Sequence, residues 1–218
     1  DVFYNELNSE IIFAIQYLSG NPEESQGFSS EFTSYSRQGR QDGLNIVNPN
    51  LVAAFNANGG NRTAVSYAAF GDDADLVNEI TGLPAPESAE VTKFLPDLSD
   101  ISDKNLPTYG DQPGNAGNDW IILRYSDVLL MHAEASMELG DNGTAENSLN
   151  LVRQRAGLNN YDASAGVISS YKETSLLGHA PLRASIYHER RVELGLESDR
   201  FYDLVRWGDA TTVFQNFD

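Results

Sequence analysis

Apolar positions divide the chain into two unlike stretches. Across residues 120–139 they cover most of a helical circumference, so this segment predicts a helix packed on several sides, with Asp119 as its N-cap and Gly140 as its stop. A turn through Asp141 and Gly143 leads to Thr144 as the next cap, after which Ala145, Leu149, Val152 and Ala156 line one stripe that ends at Gly157. Two helices joined by so short a turn form a hairpin of the tetratricopeptide kind, and one such hairpin needs neighbours to cover its faces. A third helix opens at Pro181, which suits a first-turn position, with Leu182, Ile186, Val192, Leu194 and Leu196 as its apolar contacts. Phe201, Tyr202, Leu204, Val205 and Trp207 make a last amphipathic turn before Gly208.

The first stretch is punctuated by Gly, Pro and Asn clusters and predicts loops. Two apolar islands interrupt it. Residues 10–17 are β-branched and aromatic and fit either a buried strand or a short helix start. Residues 50–57 read as a short amphipathic helix, with Pro49 near its beginning and Gly59 past its end. The expected fold class is therefore mainly α, with long ordered loops and a few short strands. Residues 1–119 form a loop-rich, ligand-facing part and residues 120–218 a helical core, together one structural unit.

Charge then narrows the function. The 218 residues hold 14 Lys and Arg against 32 Asp and Glu, a formal net charge of −18. That argues against a nucleic-acid partner, which would require clustered cations. Most of the excess lies in residues 1–119, with 18 acids and 5 bases; residues 181–208 are neutral, with five of each, so their charges are expected to pair with one another. With no cysteine there is no disulfide or thiolate site in these residues. Residues 1–10 carry three acids and no basic stretch, unlike a signal peptide, and no apolar run approaches the ~18 residues of a membrane span.

Few motifs for chemistry survive inspection. His132, His179 and His188 share no metal spacing, serine has no Gly-x-Ser-x-Gly elbow, and the segment from Gly39 to Gly43 lacks the Lys of a phosphate loop. No cofactor is expected. The acidic segments around Asp72, Asp73 and Asp75 and from Asp97 to Asp103 miss the EF-hand pattern and read as solvated loops. Glu189, Glu193 and Glu197 recur every four residues, as do Asp199 and Asp203, and a carboxylate pair could hydrolyse a glycosidic bond. Adjacent arginines lower such carboxyls and unfit them as general acids, so an ion network is the stronger reading and no enzyme is expected. Phe28, Phe32 and Tyr35, interleaved with hydroxyls and with Arg37, Gln38 and Arg40, offer stacking faces and donors that suit a sugar ring; Tyr67 and Phe70 form a second pair. The same rings could instead pin long loops to a helical body.

The helical stretch also resembles a known family. Arg124-Tyr-Ser-Asp-Val-Leu-Leu130 leading into Ala133-Glu-Ala135 is similar to a signature of SusD/RagB proteins, the nutrient-binding outer-membrane lipoproteins of Bacteroidetes. Ser148-Leu-Asn-Leu-Val-Arg-Gln-Arg155 resembles the next helix, and Glu189-Arg-Arg-Val-Glu-Leu194 with Arg200-Phe-Tyr-Asp-Leu-Val-Arg-Trp-Gly208 resembles the closing motif. Weaker echoes reach residues 8–17 and 50–55 with Arg62. Gly195 and Ser198 stand where the family more often carries Ala and Gly. The resemblance implies a SusD-like helical fold and a surface-exposed lipoprotein of the outer membrane. It also implies capture of a glycan or oligosaccharide, which is handed to a SusC-like TonB-dependent transporter. Family sites lie on loops, which directs the ligand to Phe28, Phe32, Tyr35, Arg37, Gln38 and Arg40, with Tyr67 and Phe70 in reserve. Members are usually more than twice as long, so the chain is expected to be a fragment partnered by a missing N-terminal segment of the same fold, which carries the anchor cysteine. A peptide- or protein-binding helical scaffold is the alternative.

Overall fold

The computed structural model describes residues 2–3, 8–18, 21, 23–28, 32, 46–69, 89–94, 117–164, 176 and 178–215. They fall into two compact units, residues 1–49 with 64–123 and residues 50–63 with 124–218.

The first unit carries the strands. β1 (Ile11–Ile15) pairs with β5 (Trp120–Arg124) in a two-stranded sheet. β2 (Ile46–Val47), β4 (Ala89–Val91) and β3 (Tyr67–Ala69) form a three-stranded sheet in that order, antiparallel, with Val47 opposite Ala89 and Tyr67 opposite Val91. Residues 10–17 thus resolve as a strand, although Ile12 and Phe13 remain more than half exposed. The helix expected from residue 120 begins later. Trp120, Ile121, Ile122 and Leu123 are apolar and partly β-branched, and they extend to pair with β1. Asp119 caps nothing; its buried carboxylate accepts the Tyr17 backbone N–H at 3.2 Å.

The second unit is helical. α1 (Pro49–Asn58) begins at proline and runs into a 3₁₀ turn (Gly60–Arg62). The short α2 (Thr63–Ser66) follows, all but its first residue belonging to the first unit. α3 (Tyr125–Glu138) and α4 (Asn142–Arg155) form the expected hairpin, and α5 (Pro181–Glu193) lies against both. Asp141, not Thr144, is the N-cap of α4: its carboxylate accepts the Thr144 N–H at 3.1 Å, and hydrogen bonds from the Thr144 hydroxyl and N–H lower its pKa. Leu130 and Ala133, Ala145, Leu149 and Val152, and Leu182, Ile186 and Tyr187 interlock as one core. Beyond them are α6 (Arg200–Trp207) and α7 (Ala210–Gln215). On α6, Leu204 is buried while Phe201, Tyr202 and Val205 are exposed.

Gly60 shows why the 3₁₀ turn packs so closely on the end of α4. Its φ is +60°, a Cβ there would strike the Ala156 carbonyl, and the next residue, Asn61, donates its N–H to that same carbonyl at 2.9 Å.

Candidate functional site

Two constellations gather the chain's chemistry, one in each unit. In the first unit the rings converge. Phe28 lies 4.9 Å from Trp120, edge to face, and 5.7 Å from Phe94, also edge to face. It further meets Tyr17 at 6.1 Å and Phe32 at 6.0 Å. Phe94 stacks on Trp120 at 5.6 Å and takes the edge of Phe3 at 5.3 Å. Phe94 is buried, and Phe3, Tyr17, Phe28, Phe32 and Trp120 are half-buried. Lys93, itself buried, holds its ammonium 5.2 Å from the centre of the Phe3 ring.

Phe28 is therefore the hub of an aromatic cluster and anchors its segment to β5 and to the turn after β4. Phe32 sits at the periphery of the same cluster, touching Phe28 and Phe94. Tyr67 is on β3, half-buried, opposite Val91. Tyr35, Arg37, Gln38, Arg40 and Phe70 lie outside the described residues, as do the acidic segments 72–75 and 97–103. Among the described residues no group of three His, Asp or Glu side chains could hold a metal ion. Sequence reasoning missed Phe94, Trp120 and Tyr17. Trp120 falls in the segment whose periodicity predicts a helix, and only the β1–β5 pairing brings it beside the ring cluster.

The second unit holds the ion network. Glu189 and Glu193, on α5, are fully buried or nearly so. Arg62 donates to both, at 2.7 and 2.8 Å. Arg153 reaches Glu189 at 3.0 Å, and Arg155 reaches Glu193. Arg124, extended at the junction of β5 and α3, donates to Glu193 at 2.5 Å and to both oxygens of Glu197 at 2.7 and 2.8 Å. Burial alone would raise the Glu193 carboxyl, but Arg124, Arg155 and Arg62 overcome it and hold the pKa well below the ordinary value. These partners correct the expectation that residues 181–208 neutralise themselves: the buried glutamates are paired by arginines from other elements.

Inside that segment, Arg190 bridges Asp203 at 2.9 Å and also reaches Asp127, on α3, at 2.7 Å. Arg206 joins Asp203 to Glu134, and Trp207 donates its indole N–H to Glu134 at 2.9 Å. Burial raises Glu134, yet the bonds from Arg206 and Trp207 leave it below its usual value. Trp207 stacks on Tyr187 with centroids 3.5 Å apart. Arg191, half-buried, donates to Asn50 at 2.8 Å. Asp199 also departs from expectation. Burial and the charges of Asp127, Glu197 and Asp203 outweigh Arg190 and push its carboxyl up to about 6.

Every one of the three sequence motifs meets in this network, through Arg124, Asp127 and Glu134, through Arg153 and Arg155, and through residues 189–207. The profile of the SusD family matches residues 98–218, which hold nearly all of this network, so the chain belongs to that family. Over its whole length it is similar to SusD-like protein P25 of Formosa agariphila, with 29% identity across 253 aligned residues and 44% of that protein covered. A SusD-like protein of Bacteroides ovatus is 36% identical over 91 residues, 39% of this chain and 13% of that one. Among solved structures, a SusD superfamily protein from Bacteroides vulgatus superposes with a TM-score of 0.68 at 22% identity, covering 99% of this chain and 44% of that one. Surface glycan-binding protein A of Bacteroides thetaiotaomicron, in complex with laminarihexaose, gives 0.66 at 21% identity over 95% of this chain and 44% of that one. The chain thus spans less than half the length of these relatives.

Proposed function

We propose that this chain is part of a cell-surface protein that captures a glycan or oligosaccharide and passes it to a SusC-like TonB-dependent transporter of the outer membrane. One observation carries the reading: the fold follows, over 95% of the chain, a surface glycan-binding protein held in complex with laminarihexaose. Family membership supports the surface location. The role is capture without turnover. The carboxylates spaced for acid–base work are held in ion pairs, and Asp199, the one raised to about 6, sits among Asp127, Glu197, Asp203 and Arg190.

The ligand is placed on residues 27–40, with Tyr67 and Phe70 in reserve. Phe28 acts there as an anchor, while Phe32 at the periphery, Tyr35 and Tyr67, with Phe70, serve as stacking faces. Arg37, Gln38 and Arg40 serve as donors to sugar hydroxyls. The test is calorimetry of the full-length protein against a glycan panel, followed by Tyr35→Ala and Phe32→Ala beside a thermal melt. Loss of one stacked ring is expected to cost about 1–2 kcal/mol, or roughly tenfold in affinity, without change in melting. Unchanged affinity in both variants returns these rings to loop anchoring. Saturable binding of peptides and of no glycan favours the scaffold reading.

A further inference from the structure

The disposition of cations bears on which glycans can be captured, and the inference rests on the capture reading above. Ten Lys and Arg side chains lie among the described residues, and seven of them, all arginines from Arg62 to Arg206, are ion-paired with carboxylates of the second unit. The other three are engaged as well. Arg191 donates to Asn50, Arg200 lies 5.6 Å from the Trp207 ring centre, and Lys93 is 6% exposed beside Phe3.

The first unit, which holds the aromatic cluster, carries 18 acids and only Arg37, Arg40, Lys93 and Lys104 in residues 1–49 and 64–123. Acidic sugars are recognised through their carboxylates or sulfates by forked guanidinium or by ammonium groups. Here nearly all such described groups already hold the protein's own carboxylates or face its rings. An excess of negative charge also sets up a field that repels a polyanion before contact. Carboxylates, by contrast, accept hydrogen bonds from neutral sugar hydroxyls. We propose that the captured ligand is an uncharged glycan, and that uronate-rich or sulfated polysaccharides are excluded by the field of the first unit, whose 18 acids outnumber its cations Arg37, Arg40, Lys93 and Lys104.

The experiment titrates the full-length protein with neutral hexasaccharides (laminarihexaose, maltohexaose, xylohexaose) and with hexagalacturonate and hexaguluronate. Each set is measured in about 0.01 M and about 1 M NaCl, where the screening length shrinks from ~30 Å to ~3 Å. The expected result is a neutral ligand whose affinity is insensitive to salt. Both acidic ligands should then bind at least about a hundredfold more weakly at low salt, and the gap should narrow as salt rises. Glu23→Lys, at an exposed turn five residues before Phe28, should strengthen the acidic ligands a few-fold at low salt and leave the neutral one unchanged. An acidic hexasaccharide that binds as tightly as the best neutral one overturns the proposal and leaves capture standing. So does an acidic ligand whose affinity falls on adding salt. If none of the five saccharides binds in either salt while peptides do, the capture reading fails and takes this inference with it.

Discussion

Arg124 shows how much one side chain can join. Its guanidinium is almost fully buried, donates to Glu193 and Glu197, and adds a bond to the Glu193 backbone carbonyl at 2.7 Å. Removing one partner of a buried pair leaves the others desolvated and unmatched, a loss of about 3–5 kcal/mol. Arg124→Met is therefore expected to lower the unfolding free energy, read from urea denaturation, by that amount, whereas Arg191→Met, whose bond to Asn50 is exposed, should cost less than about 1 kcal/mol. Equal effects from the two would contradict the assignment. Asp199 works in the opposite sense. A carboxyl raised to about 6 in the folded protein, against about 3.9 unfolded, binds protons more readily when folded, so stability falls as pH rises through that window. Because Asp199 is only half-buried, solvent screening trims the full linkage value, and Asp199→Asn should then stabilise the protein by about 1 kcal/mol at pH 7 and by nothing well below pH 4. Chemical denaturation at both pH values checks it. The depressed Glu193 gives stability that is present above its unfolded pKa and is lost only as pH falls through its lower folded one.

At the scale of elements, the hairpin of α3 and α4 is held by a narrow seam. Leu130 and Ala133 meet Ala145, Leu149 and Val152, all of them buried, and small alanines let the helices approach closely. Leu149→Ala would open a cavity at the centre of this seam and is expected to cost about 2–5 kcal/mol, read from the unfolding midpoint with an unchanged slope. A loss below ~1 kcal/mol would mean that the site collapses freely. The link from α5 to α6 is under visible backbone constraint. Leu196 and Ser198 both have φ near +75°, flanking Glu197, whose carboxylate is clasped by Arg124. That left-handed Ser198 explains why glycine suits the position in the family. Gly195 shows the converse: a Cβ there would lie 2.8 Å from the Arg191 carbonyl and 3.2 Å from the Phe55 ring.

For the whole molecule, the net charge of −18 opposes compactness through self-repulsion, while the described ion pairs are mostly buried and weakly screened. Adding salt from about 0.01 to 0.15 M should consequently raise the melting temperature by about 2–4 °C. A fall would show that exposed pairs such as Arg183 with Glu138 dominate. The mainly helical fold was legible at this scale because amphipathic periodicity and turn residues report directly on helices, and three motifs in order marked the family. The aromatic cluster was legible only in part. Phe28 and Phe32 drew notice as neighbours in sequence, but their partners Phe94 and Trp120 are more than sixty residues away and no local spacing links them.

The sequence by itself determined the helices of the hairpin and of α5, with Pro181 opening the third, because period, a first-turn proline and glycine stops are properties of adjacent residues, whereas both expected N-caps, Asp119 and Thr144, were displaced. It also determined the acidity that bears on ligand class. Tertiary structure decided what no local pattern encodes. The apolar run from Trp120 is a strand because β1 is available to pair with it. Arg62, from the loop-rich half, joins the helical unit because two buried glutamates require its charge. The glutamates spaced like catalytic carboxylates became structural because guanidinium groups from three other elements converge on them. Burying a charge is tolerable only where its partners arrive together, and only the fold brings them there.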